Sequence, residues 1–134
     1  VRIEVAISAG ELVDRITILE LKAARLPPAL ARAVELQLDA MRTACARALP
    51  ESEWLSAITR ELRKVNAELW DVEEALRACE RTKSFGARFV ELARRVYQAN
   101  DRRAALKRCV DERAGGEARE YKSHDLPPVQ QPWS

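Results

Sequence analysis

Arg103 stands where the helical pattern around it asks for an apolar side chain. The stretch RRVYQANDRRAALKR at 94–108 also sets Asn100 and Asp101 beside it. A guanidinium taken out of water without a counter-charge costs several kcal/mol, comparable with the whole stability of a small domain. Arg103 therefore requires a carboxylate. Asp14, Glu20, Asp71 and Glu73 can supply one, with Asn66 and Asn100 filling the remaining hydrogen bonds. Two arrangements meet that need. A closed network would be structural, fixing the register of an otherwise all-aliphatic seam. An open one would leave donors facing a cleft, where an anionic small molecule such as a sugar phosphate, a nucleotide sugar or a dicarboxylate could sit. The closed arrangement is the ordinary one, because arginines beside a helical seam snorkel and Trp70 and Tyr97 at helical spacing pack with their polar tips satisfied.

The expected polar level comprises Asp14, Glu20, Asn66, Trp70, Glu73, Arg77, Tyr97, Asn100, Arg103 and Lys107, as a ligand-binding site or a structural network. Two asparagines, a tryptophan, a tyrosine and several charges gather there, in helices that are otherwise Leu, Val and Ala. No catalytic residue is assigned. There is no nucleophile elbow, no glycine-rich phosphate loop and no Cys–His pair in prospect. Glu73 and Glu74 are helix neighbours and diverge by about 100°, which suits no shared acid–base site. No metal and no cofactor is expected: the lone His124 lies in a polar tail, and Cys45, Cys79 and Cys109 show no ligand spacing. An odd cysteine count without CxxC fits buried thiols in a reducing compartment.

The elements that must position these residues are helical. The chain has 134 residues, 47% apolar and 33% charged, with 4 glycines. That composition suits a single helix-rich domain. A net charge of +2 gives nucleic acid no strong claim as a partner. No apolar run is long enough for a membrane span. VRIEVAIS lacks the marks of a signal peptide, so a cytoplasmic location is expected.

In RIEVAI at 2–7, Ile3, Val5 and Ile7 alternate with Arg2, Glu4 and Ala6, which predicts a short N-terminal β-strand. Ser8 can cap a first helix while Glu11 reaches back to it. That helix runs from about Gly10 to Arg25, is apolar on several faces, and so should be central or lie at a subunit interface. Pro27–Pro28 ends it, and Pro50 ends the second. A third helix carries Leu55, Ile58, Leu62, Val65, Leu69, Val72, Leu76 and Cys79 in alternating steps of three and four. A fourth answers with Phe85, Phe89, Leu92, Val96, Ala99, Arg103, Leu106 and Val110, until Gly115–Gly116. A repeat of about 3.5 residues predicts a left-handed supercoiled seam.

The short turn at 82–86 makes these two helices antiparallel neighbours. Levels then pair about Ser84, which puts Trp70 level with Tyr97. Residues 51–80 hold eight acids against four bases, and residues 81–113 ten bases against four acids. The basic helix thus reads mainly as a partner for the acidic one. The predicted fold is all-α: an antiparallel helical bundle over 1–116 built on a long coiled-coil-like hairpin, with a mostly loose C-terminal segment at 117–134. The segment 119–124 could pair with the N-terminal strand, or a second copy could.

Three segments, ISAGELVDRITILELKAAR at 7–25, KVNAELWDVEEALRACER at 64–81 and FGARFVELARRVYQANDRRAALKR at 85–108, resemble a family of small bacterial proteins catalogued only as a domain of unknown function. The resemblance covers most of residues 3–123. It implies a bacterial cytosolic protein, with an association with cell-surface polysaccharide metabolism, and supplies no activity or cofactor. ELVDRITILELKAAR is also loosely similar to the first helix of all-helical chorismate mutases. That likeness would imply dicarboxylate-binding roles for Lys22, Arg25, Glu73, Arg77 and Arg103, although helix order and lengths differ. The expected function is a non-catalytic helical binding or interaction protein, homodimeric, with a protein partner; the alternative is a binder of, or an enzyme for, an anionic small molecule at the mid-bundle Arg/Asn/Trp/Tyr level.

Overall fold

The computed structural model describes residues 1–115. They form four helices: α1 (Ala9–Arg25), α2 (Pro28–Ala48), α3 (Glu53–Thr82) and α4 (Ala87–Arg113). The expectations for the segment at 117–134 lie outside the described residues.

Local chemistry sets each boundary. The Ser8 hydroxyl accepts from the Glu11 N–H at 3.1 Å and starts α1. Glu11 does not complete the expected reciprocal cap. Its carboxylate reaches Arg15 and Lys107 instead, since two cations outbid a backbone N–H. Leu26 is extended ahead of the proline pair, and Pro28 opens α2, where no N–H is needed. Ser52 caps α3 through the Leu55 N–H at 3.2 Å. Lys83, at φ 54°, turns the chain out of α3 in the left-handed region, and Ser84 donates back to the Cys79 carbonyl at 2.8 Å.

Helix α1 packs against α2, α3 and α4. Helices α3 and α4 lie antiparallel, with Val72, Cys79 and Leu92 in one cluster and Val65, Leu69 and Ala99 in the next. Further along, Val13, Leu62 and Val110 join α1, α3 and α4, with Leu49 just past α2 and Cys45 within it packed against them. Leu62 and Val110 are wholly buried. Helix α2 is held on α1 through Ile16, Leu19 and Leu38.

Two expectations are corrected. The coiled-coil-like hairpin expected at the centre of the bundle is not supported, because α1 packs against both α3 and α4 and shares their seam. A small residue lets the two backbones meet: Gly10 on α1 lies directly against the α4 backbone at Lys107. The predicted N-terminal strand is absent, because residues 1–8 belong to no helix or strand. A strand needs a partner for its backbone groups, and the described part of the fold offers none there.

Candidate functional site

Asp14, on α1, is fully buried. Its carboxylate is the hub of a polar network across three helices. Arg103 on α4 binds it with two parallel bonds, Nε to Oδ1 at 2.9 Å and Nη2 to Oδ2 at 2.5 Å. Asn66 on α3 donates from Nδ2 to Asp14 Oδ1 at 2.9 Å and to the Thr17 hydroxyl at 2.8 Å. Thr17 in turn donates to the Asp14 carbonyl at 2.7 Å. Each carboxylate oxygen thus has a donor, and the bidentate geometry favours arginine over lysine at this position.

A second polar cluster lies toward the start of α1. Asp111, almost fully buried, accepts from the Gly10 N–H at 2.6 Å. A carboxylate suits this positive helix end. Its other oxygen is buried without a hydrogen-bond partner among the described residues. Lys107, also buried, reaches Glu11 at 2.6 Å. Burial pushes the Glu11 carboxyl up, but Lys107 and Arg15 outweigh it and hold the group below its ordinary value. A Cβ on Gly10 would come within 2.2 Å of the Lys107 carbonyl oxygen, so the helices touch here as only glycine permits.

Of the ten expected residues, three form the closed network: Asp14, Asn66 and Arg103. Six line one groove of about 350 Å³ between α1, α3 and α4: Asn66, Trp70, Glu73, Arg77, Asn100 and Arg103. Lys22, Ile18, Leu21, Leu69 and Glu74 complete its walls. Lys107 belongs to the Glu11 cluster. Glu20 faces the other way, pairing with Arg63 at 3.1 Å and Arg42 at 4.0 Å. Tyr97 is 53% exposed and does not reach the groove, although Trp70 does. Arg25 lies over the Trp70 ring at 5.6 Å and is paired with Asp71 at 2.7 Å.

Gly10 and Asp111 carry structural weight that the pattern did not reveal. The available signal was a glycine in the first turn of a helix that Ser8 already caps, where alanine would serve better. Asp111, near the end of α4, carried no signal of its own. Among the described residues no group of His, Cys, Asp or Glu is arranged to hold a metal ion, and no helix is long and apolar enough to cross a membrane.

No curated protein and no solved structure matches the chain. Residues 3–132 match the family described as a family of unknown function, DUF6165. With nearly all of its length covered, the chain belongs to that family.

Proposed function

We propose that this protein is a non-catalytic interaction module that works as a homodimer, joined through its N-terminal arm. The closed network argues against catalysis at the polar level. Asp14 is chelated by Arg103 and Asn66 and wholly buried, so it is not placed to touch a substrate.

The observation that carries the reading is the arm itself. Ile3 is 79% and Val5 74% exposed, and Ile7 is exposed beside them. No backbone hydrogen bond is made by residues 1–7 within the described chain. Alternating apolar side chains on a segment that belongs to no helix or strand suit strand addition. A second copy supplies the matching segment. In an antiparallel pair centred on Ile3, Arg2 of each copy faces Glu4 of the other, and Ile3 faces Ile3. Other registers lose this match; centring on Glu4 sets like charges opposite each other.

Size-exclusion chromatography with light scattering on the full chain tests the reading. The wild type is expected at twice its 15.2 kDa chain mass. Ile3→Asp with Val5→Asp is expected to give a folded monomer, since neither side chain is buried in the subunit. A monomeric wild type at about 100 μM, roughly a weak-interface concentration, contradicts the proposal. So does a dimer that survives the double substitution.

A further inference from the structure

The groove beside the Asp14–Arg103 pair brings apolar and charged side chains together. Its floor is apolar, from Ile18, Leu21 and Leu69. Trp70 forms part of the wall, held in place by Arg25 at 5.6 Å, which Asp71 anchors in turn. The closed network behind it fixes the back of the groove. At about 350 Å³ it falls within the usual range for small-molecule sites, about 300–1,000 Å³.

Two cations at the groove are not consumed by the fold. Lys22 has no ion-pair partner among the described residues. Arg77 meets Glu74 at 3.4 Å with its side chain 69% exposed, a contact too long and too wet to hold it firmly. Glu73 and Glu74 line the same groove and would repel a second negative charge. We infer that the groove binds an aromatic monocarboxylate. The carboxylate bridges Lys22 and Arg77, and the ring lies on the apolar floor against Trp70. Asn100, which also lines the groove, orients a polar ring substituent. A nucleic-acid strand or a polyphosphate is disfavoured by the two glutamates. This inference is independent of the arm pairing, because residues 1–7 take no part in the groove.

The test is an ¹⁵N-correlation NMR titration of the full chain with 2-naphthoate, with acetate and 2-naphthylmethylammonium as controls. Naphthoate is expected to shift the Lys22, Trp70 and Arg77 signals, including the Trp70 indole N–H, and to saturate. Lys22→Gln combined with Arg77→Gln, both at exposed positions, is expected to weaken binding about tenfold, the equivalent of about 1.4 kcal/mol, while leaving the spectrum folded. The inference is overturned if no saturable shift appears in the groove, or if the double substitution leaves the affinity unchanged. It is equally overturned if acetate or the ammonium binds as tightly as naphthoate.

Discussion

Arg103→Leu is the most informative single substitution. The Asp14 side chain has no exposure, whereas that of Arg103 retains 27%. Leucine leaves the Asp14 carboxylate buried with Asn66 as its remaining side-chain donor. Breaking a buried pair from one side costs about 3–5 kcal/mol, and the partial exposure of Arg103 points to the lower end. A loss of ~3 kcal/mol with a urea slope near ~2 kcal/mol/M lowers the unfolding midpoint by roughly 1.5 M. Arg103 has further contacts beyond this pair, so the single substitution is read through a double-mutant cycle with Asp14→Asn. Asparagine removes the stranded charge. Adding it to Arg103→Leu should restore about half of the lost stability, although alone it destabilises. Urea melts followed by circular dichroism give all four corners. The reasoning is refuted if Arg103→Leu costs less than ~1 kcal/mol, the cost of a surface pair, or if the cycle shows no coupling.

Other substitutions probe the neighbouring contacts. Gly10→Ala forces a methyl group into the Lys107 backbone at 2.2 Å; a loss of ~2 kcal/mol, about 8 °C in Tm, is expected in calorimetry. Leu62→Ala empties a fully buried position and should cost ~3 kcal/mol by chemical denaturation. Glu11 is held below its ordinary pKa of 4.5 in the fold, so its stabilisation is complete above pH 4.5 and is lost as pH falls through its folded-state value. Glu11→Gln should therefore flatten the acid limb of the stability curve, measured from pH 6 down to 3. Burial raises the Cys45 thiol, so its reaction with a disulfide reagent at pH 8 should be slower than that of a model thiol.

Much of this arrangement was legible because helical periodicity is a local property. The apolar steps and the flanking Ser, Pro and Gly residues placed the helices within a few residues. Arg103 in an apolar row demanded a carboxylate, and Asp14 was one of four candidates. Choosing among them needed the rotation of α1, which depends on contacts distant in sequence. Helix geometry does account for the two misplaced members afterwards. Glu20 lies six residues from Asp14, and Tyr97 six from Arg103, so each points about 120° away from its supposed neighbour. Trp70 and Lys107 lie four residues from Asn66 and Arg103, about 40° away, and remain close to the shared face. The N-terminal alternation was real, but a strand is a property of two segments, and one segment cannot disclose its partner. Gly10 and Asp111 stayed hidden because their value lies in the close crossing of α1 and α4, which no local pattern encodes.

The closed state of the Asp14–Arg103 pair is most directly measured from the Arg103 Nε–H itself. In an ¹⁵N spectrum of the arginine side chains near pH 7, that proton should appear as a sharp, slowly exchanging signal that disappears in Asp14→Asn. An Arg103 Nε–H that exchanges as fast as that of exposed Arg88, or that is unaffected by Asp14→Asn, would contradict a locked network.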